Sequence, residues 1–278
     1  MSLSPDGAVL LVGGGRMGGA LAAGWLARGM APAEVSIIEP DDKVAAALVA
    51  RLSVRRIREV SAWPDARPPA VVLFAIKPQT MDAVVPDYRR FVGPDTLFLS
   101  IAAGRTLGGL TALLAPADAP LRLVRAMPNT PAAVGRGMTV LCAGAGLDTA
   151  GRDLATGLMA AVGDTAWVAD ESLMDAVTTV SGSGPAYVFL LAEALAEAGI
   201  AAGLDADLAR RLARQTVTGA GELMYRAEET PADLRAAVTS PGGTTAAALQ
   251  VLMGPDGWQD ALTRAVAAAT QRSRQLAG

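Results

Sequence analysis

The stretch "AVLLVGGGRMGGALAAGWLARG", Ala8–Gly29, decides how the first half of the chain folds. A run of apolar β-formers comes first, an Ala/Leu-rich helical segment follows, and three glycines, Gly13, Gly15 and Gly18, lie between them. With this spacing the first glycine permits a tight turn, the second lets a pyrophosphate approach the backbone, and the third lets helix and strand pack closely. The stretch therefore predicts a dinucleotide-binding loop; the alternative is that the glycines serve the turn alone.

Short β-rich runs alternate with Ala/Leu-rich stretches as far as Ala169, which predicts parallel strands joined by crossover helices. The predicted strands are Ala8–Val12, Val35–Glu39, Ala70–Ile76, Leu97–Ile101, Leu121–Ala126, Met138–Leu141 and Ala166–Val168. The expected fold class is α/β: a Rossmann-type doubly wound sheet domain over residues 1–169.

The pattern changes after Leu173, beyond which strand signals almost disappear, so residues 170–278 are predicted to form an all-helical domain. The predicted helices are Pro185–Ala202, Asp207–Arg226, Pro231–Val238, Thr245–Met253 and Gly257–Leu276. The helix Pro185–Ala202 is apolar nearly all round, with Glu193 and Glu197 on one face, so it must be buried on most sides. We expect a second copy of the chain to cover it.

Composition excludes several classes of function. The net charge of -3, the aromatic content of 4% and the presence of only two lysines, Lys43 and Lys77, argue against a nucleic-acid partner. Apolar runs stop short of a membrane span, and "MSLSPDG" has no basic leader, so we expect a cytoplasmic protein without a membrane partner. Cys142 is the only cysteine and histidine is absent, which excludes an intrachain disulfide, a Cys/His metal cluster and imidazole catalysis.

Three polar side chains lie at or just beyond the carboxyl ends of predicted strands, the edge of the sheet where ligands bind. Glu39 lies about 20 residues beyond the glycines, where an acid accepts from a ribose diol and repels a 2′-phosphate. Lys77 and Asn129 end two further strands in proline-stiffened loops. The alternatives are a solvated acid before a proline turn for Glu39 and a solvated loop charge for Lys77.

Two glycine motifs lie in the helical half. "VSGSGPAYVF", Val180–Phe189, opens the long apolar helix; Gly182 and Gly184 serve either a ligand or helix packing. "TSPGGTTAAALQVL", Thr239–Leu252, places Gly242 and Gly243 just before a predicted helix, where unpaired N–H groups attract an anion. The alternative for the second motif is a Gly-Gly turn capped by Thr244.

The motifs "GGGRMGGA", "AIKP", "SIAAG", "RAMPNTPA", "SGSGPAYVF" and "SPGGTT" occur in order over nearly the whole chain. Together they resemble pyrroline-5-carboxylate reductases. The resemblance implies an N-terminal nucleotide-binding domain, a helical domain that forms a homodimer and in some members a larger ring, and reduction of 1-pyrroline-5-carboxylate to L-proline by NADPH or NADH.

The resemblance implies most of the expected site residues, to which the strand-end argument above adds Glu39 and Asn129. Substrate would be bound by Asn129, Glu171, Gly243, Thr244 and Thr245, with Thr245 as the catalytic residue and Glu228 as a nearby supporting acid. The cofactor would be bound by Gly13, Gly15, Arg16, Met17, Gly18, Glu39, Ala75, Ile76, Lys77, Pro78, Ala102 and Ala103. No metal site is expected.

The chain departs from the family's pattern at three places. Arg16 replaces Asn or Gln in the glycine loop, "EPDD" replaces hydroxyl residues at the end of the second strand, and Ala237 replaces a pocket Asn. Because Glu39 and Asp41 would face a 2′-phosphate with no neutralising residue other than Arg16, we expect NADH to be preferred over NADPH.

The chemistry explains why no histidine is needed. A protonated imine accepts hydride without a strong acid, so the protein must mainly orient the two reactants and anchor the substrate carboxylate. Two rivals remain: a β-hydroxyacid dehydrogenase, whose catalytic lysine position holds Val188 here, and a nucleotide-sensing dimer without turnover.

Overall fold

The structure is a computed structural model that describes residues 7–64, 67–115 and 121–277. Contacts divide the chain into two compact units, Met1–Gly182 with Arg272–Gly278, and Ser183–Gln271. The division falls after the boundary expected at Ala169 because Met174 is buried against the sheet beside Val140 and Cys142. The division into domains 1–169 and 170–278 stays a prediction.

The first unit is built on one eight-stranded sheet of order β3-β2-β1-β4-β5-β6-β7-β8. The strands are β1 Val9–Val12, β2 Val35–Ile38, β3 Arg55–Ile57, β4 Val71–Phe74, β5 Leu97–Ser100, β6 Arg122–Met127, β7 Gly137–Ala143 and β8 Gly163–Val168. The chain runs outward from β1 to β3 and then returns to add β4 on the other side of β1. This reversal between β1 and β4 is the switch point of a doubly wound sheet, so the predicted fold class is confirmed.

Helices cover both faces of this sheet. They are α1 Arg16–Ala27, α2 Asp42–Leu52, α3 Met81–Val84, α4 Leu107–Leu114, α5 Thr149–Ala160 and α6 Met174–Val177, followed by a π-helical turn, Thr178–Gly182. One core cluster contains Trp25 of α1, whose Nε1 donates to the Leu158 carbonyl at 2.9 Å. A second cluster contains Phe74, stacked on Phe98 and edge-on to Tyr88.

The sheet differs from the predicted one in two strands. β7 runs antiparallel to β6, whereas all strands were predicted to be parallel. The link between them is a short 3₁₀ turn, Thr130–Val134, and a parallel return needs a crossover of a dozen or more residues. The sequence prediction also missed β3, a three-residue edge strand with two arginines, since such strands have little apolar alternation.

The second unit is helical, as predicted. Its helices are α7 Gly184–Ala201, α8 Ala206–Arg226, α9 Pro231–Ala237, α10 Thr244–Leu252 and α11 Trp258–Ala277, whose end from Arg272 belongs to the first unit. In a single chain α7 is open to solvent: Phe189 is 61% exposed and Leu190 62%. The apolar face predicted to need a partner is therefore uncovered within one chain.

One helical stretch, Glu171–Ala201, is long and apolar enough by composition to cross a membrane, although the apolar runs were expected to be too short. The expectation counted uninterrupted apolar residues, whereas average hydropathy tolerates the two glutamates of α7. An apolar helix that packs against a second subunit has the same composition, so this single stretch does not place the chain in a membrane.

Candidate active site

The glycine loop between β1 and α1 has the geometry that its sequence predicts. Gly13 adopts φ +101°, which disfavours other residues, and a Cβ there would lie 2.6 Å from the Ala75 carbonyl oxygen. A Cβ on Gly18 would lie 2.2 Å from the Gly13 carbonyl oxygen, whereas a Cβ on Gly15 would meet nothing within 4 Å. Gly13 and Gly18 therefore serve the fold, and Gly15 leaves open space. That space at a helix N-terminus fits a pyrophosphate.

Other predicted cofactor residues surround this loop. Arg16 is the first, exposed residue of α1, and Met17 packs partly against the core. A cavity of about 570 Å³ lies where β1, β2 and β4 end, lined in part by Val12, Ile38 and Ile76. Because ligands of doubly wound sheets bind outside the carboxyl ends of the strands, this cavity suits the adenosine half of a dinucleotide.

Glu39 is held at the mouth of the glycine loop. Its Oε2 accepts from the Gly14 backbone N–H at 2.8 Å and its Oε1 accepts from the Asp41 N–H at 2.9 Å. The alternative of a freely solvated acid is inconsistent with these contacts. The carboxylate is therefore fixed next to the loop, which suits an acceptor for a ribose diol.

The structure adds a cation that the sequence prediction missed. Arg56 of β3 donates through Nη2 to the Glu39 carbonyl oxygen at 3.1 Å and to Asp42 Oδ1 at 2.6 Å. Arg56 is therefore a second cation near the acids at the end of β2, because β3 pairs with β2 and brings it there. The hydrogen bond from Arg56 lowers the pKa of the Asp42 carboxyl.

The loops after β4 and β5 are joined by a second arginine absent from the predicted site. The side chain of Arg105 donates through Nε and Nη2 to the Pro78 carbonyl oxygen at 3.0 and 2.6 Å, and pairs with Asp82 at 2.7 Å. The contact links the two predicted cofactor segments, Ala75–Pro78 and Ala102-Ala103. Lys77 is exposed in the first segment.

Glu171 lies in a cluster within the first unit. Its Oε1 accepts from Arg125 Nη1 at 2.8 Å and from the Leu107 backbone N–H, the start of α4, at 2.7 Å. Arg125 is 5% exposed on β6, and Glu171 is 28% exposed. The contacts assign Glu171 a structural role between β6 and α4; its role as a substrate residue stays a prediction.

Asn129 holds two segments of backbone. Its Oδ1 accepts from the Met138 N–H at 2.8 Å, and its Nδ2 donates to the Ser181 carbonyl oxygen at 3.1 Å, in the π-helical turn. A Cβ on Gly182 in the same turn would lie 2.6 Å from Met127 Cε, so Gly182 packs closely against β6. The predicted contact of Asn129 with substrate stays a prediction.

The Gly-Gly motif forms the start of α10 in the second unit. Gly242 has φ +71°, Gly243 is the N-cap without a side-chain hydrogen bond, and Thr244 is the first helical residue. Thr244 is therefore not the N-cap, so the turn differs from the alternative of a Gly-Gly turn capped by Thr244. The Ala247 N–H donates to the Gly243 carbonyl oxygen at the start of the helix. The N–H groups of Thr244 and Thr245 lie before this donor, among the first groups of a helix, which have no acceptor within it. Glu228 lies between α8 and α9, and Ala237 ends α9.

A doubly wound sheet with this glycine loop, an acid fixed at the end of β2 and a helical second unit defines a Rossmann-type dinucleotide-binding protein. The pyrroline-5-carboxylate reductase of Pseudomonas aeruginosa is 38% identical over 97% of this chain and 96% of its own length. The chain belongs to the pyrroline-5-carboxylate reductase family.

Family models and solved structures agree with this assignment. Residues 171–276 match a model described as pyrroline-5-carboxylate reductase dimerisation, and residues 8–104 match one described as NADP oxidoreductase coenzyme F420-dependent. The Coxiella burnetii pyrroline-5-carboxylate reductase structure has a TM-score of 0.89 and 32% identity, covering 97% of this chain and 98% of that one. The Plasmodium falciparum enzyme with NADP bound has a TM-score of 0.80 and 26% identity, covering 98% and 99%.

Proposed function

We propose that this protein reduces 1-pyrroline-5-carboxylate to L-proline, the last step of proline biosynthesis. The observation that carries the proposal is the start of α10, where Gly243 caps the helix without a side-chain bond and the N–H groups of Thr244 and Thr245 are available to a carboxylate. Membership of the family over nearly the whole chain supports it.

The residues of α10 suit an imine substrate. When bound, NADH or NADPH would supply the hydride that reduces the carbon of the protonated imine, whose ring nitrogen is the amine of proline. The chain's own part is to anchor the carboxylate on the N–H groups of Thr244 and Thr245, while the Thr245 hydroxyl hydrogen-bonds the ring nitrogen. This reaction requires no imidazole, in keeping with the absence of histidine from the chain.

The proposed cofactor preference is NADH over NADPH. It rests on the Glu39 carboxylate, which the Gly14 and Asp41 N–H groups hold beside the glycine loop. An anion fixed there accepts from a ribose diol and repels a 2′-phosphate. A higher kcat/KM with NADPH than with NADH would overturn this preference.

The proposed assembly is a homodimer formed through the second unit. Several such dimers would form the larger ring. The exposed apolar face of α7 supports the dimer, as does the match of residues 171–276 to a dimerisation family. A cytoplasmic location belongs to the same proposal.

A direct assay separates the proposal from its rivals. Purified protein is mixed with 1-pyrroline-5-carboxylate and NADH or NADPH, and nicotinamide absorbance is followed together with proline formation. Loss of absorbance with stoichiometric proline supports the proposal. Oxidation of a β-hydroxyacid with NAD⁺ or NADP⁺, without reduction of the imine, would indicate a β-hydroxyacid dehydrogenase. Binding of the nucleotide without turnover of either substrate would indicate a nucleotide-sensing dimer.

A further inference from the structure

The segment Glu39–Asp42, which joins β2 to α2, is held at both ends by one side chain. The Arg56 guanidinium donates to the Glu39 carbonyl oxygen at 3.1 Å and to Asp42 Oδ1 at 2.6 Å. Between these contacts lies Asp41, whose Oδ1 accepts from the Lys43 N–H at 2.8 Å and so caps α2. The segment is therefore bound to β3 as well as to its own helix.

These contacts reach the carboxylate of Glu39 through the backbone. The Asp41 N–H, which lies inside the held segment, donates to Glu39 Oε1 at 2.9 Å. The Gly14 N–H donates to Oε2 at 2.8 Å from the other side. If the segment moved, the hydrogen bond from the Asp41 N–H would be lost. The Glu39 carboxylate would then be held only by the hydrogen bond from the Gly14 N–H and would be free to rotate.

The charge of Arg56 is already neutralised where it lies. Asp42 forms an ion pair with it at 2.6 Å, and the arginine side chain is 23% exposed, against 76% for Asp42. Both contacts use Nη2, so this end of the guanidinium is engaged with oxygens of the acidic segment itself. The observed contacts are those of a residue that holds the acidic segment, and the variants described below separate this role from binding of a 2′-phosphate.

We propose that Arg56 is a positioning residue that sets the discrimination between NADH and NADPH by fixing the carboxylate of Glu39. The inference rests on the cofactor site proposed above. Arg56 acts through the segment Glu39–Asp42 and does not itself contact the cofactor. The discrimination ratio, defined as kcat/KM for NADH divided by kcat/KM for NADPH, should therefore depend on Glu39 and Arg56 together.

A double-mutant cycle tests this dependence. Glu39→Gln should lower the discrimination ratio, and Arg56→Gln should lower it by roughly 3- to 10-fold, through a higher KM for NADH with kcat little changed. In the double variant the ratio should be no lower than in Glu39→Gln alone, because the two residues act as one unit. Arg56→Lys, which keeps the charge with a shorter reach, should fall between wild type and Arg56→Gln.

Arg55→Gln is the matched control, since it removes the same charge from the adjacent exposed position of β3 and should leave the ratio unchanged. Calorimetric dissociation constants for NADH and NADPH give the same ratio without turnover, so failure of the imine reaction would not obscure the result. Thermal unfolding of each variant verifies that it is folded.

Three results would overturn the inference. If Arg56→Gln weakens NADPH more than NADH, Arg56 is a phosphate ligand. If the effects of the two substitutions multiply in the double variant, Arg56 acts independently of Glu39. If Glu39→Gln alone leaves the ratio unchanged, the cofactor preference fails as well, and that single variant identifies the failure.

Discussion

The glycines of the first loop have different tasks although the sequence presents them as one motif. Gly18 has no room for a side chain, because a Cβ would lie 2.2 Å from the backbone oxygen of Gly13. Gly15 has room, and its φ of -63° is accessible to any residue. Only the coordinates separate the glycine that the fold needs from the one that leaves space for a ligand.

Gly15→Ala and Gly18→Ala should consequently fail in different ways. Gly15→Ala should keep the melting temperature of wild type and raise the dissociation constant for NADH roughly 10-fold, about 1.4 kcal/mol, because its methyl group obstructs the pyrophosphate. Gly18→Ala should destabilise the protein by about 1–3 kcal/mol through overpacking. Thermal unfolding and calorimetric binding measure the two effects; equal losses of stability in both variants would contradict the assignment.

Thr245→Val should preserve the fold and cofactor affinity but lower kcat/KM for the imine. Valine keeps the shape and removes the hydroxyl, so a hydrogen bond of about 1–3 kcal/mol is lost, which corresponds to roughly 5- to 150-fold. A lower kcat would indicate that the hydroxyl interacts with the developing amine, and a higher KM would indicate that it orients the bound substrate.

Thr244→Val is the matched control for that variant, since it removes the same hydroxyl from the preceding, exposed position of α10. Its effect should be smaller, because the proposed role of Thr244 uses the backbone N–H. If Thr245→Val leaves kcat/KM unchanged while hydride transfer limits the rate, Thr245 has only a structural role at the helix start.

Among the elements, α5 shows how an ion pair and a helix cap combine. Asp148, its N-cap, accepts from the Gly151 N–H at 2.8 Å and from Arg122 Nη2 at 2.8 Å. The Gly151 hydrogen bond, followed by that of Arg122, lowers the pKa of the Asp148 carboxyl. A depressed pKa in the folded state stabilises the fold above the unfolded pKa, and this contribution is lost as the pH falls through the folded value.

Asp148→Asn should therefore lower the melting temperature at neutral pH, while asparagine still caps the helix. The difference from wild type should stay constant above about pH 5, begin to shrink near pH 4, where the unfolded carboxyl protonates, and close only below the lowered pKa of the folded carboxyl. Asp153→Asn, the same charge change at an exposed position of α5, should show no such difference. A gap that persisted unchanged to pH 3 would show that the carboxylate charge is not responsible. Melting curves across the pH range provide the measurement.

Element boundaries in the helical unit were predicted well, and those of the sheet's edges were not. α7 begins at Gly184 and ends at Ala201, close to the predicted Pro185–Ala202, because its long apolar run and its proline at the first turn are local signals. β3 has no such signal, since its three residues become a strand by pairing with β2. The direction of β7 depends on the length of the turn before it.

For the whole molecule, the exposed apolar helices of the second unit are the main unsatisfied feature of a single chain. α7 has one buried residue, Ala196, in the part of the chain that the structure describes. An exposed surface of this kind marks an interaction site, and residues 171–276 belong to a dimerisation family.

Leu190→Glu should dissociate the dimer. A carboxylate buried without a partner at an interface costs about 3–5 kcal/mol, so the dissociation constant should rise at least about 100-fold. Sedimentation velocity at micromolar concentration measures the assembly, and activity should fall with it. Leu190→Met is the control because it keeps an apolar side chain of similar volume. A Leu190→Glu variant that stays dimeric would place the interface elsewhere, and a folded, active monomer would contradict the need for a dimer.

The sequence alone determined the two-part plan, the dinucleotide loop, most element boundaries and the absence of imidazole and disulfide chemistry. These depend on residue identity and on periodicity within one strand or helix, which neighbouring residues specify. The tertiary structure decided the direction of β7, the partners of Glu171 and the presence of Arg56 beside the cofactor site. Arg125 and Glu171 are 46 positions apart in the chain, and Leu107 and Glu171 are 64 apart. Contacts over such separations arise only when strands pair and helices pack, so no local pattern contains them.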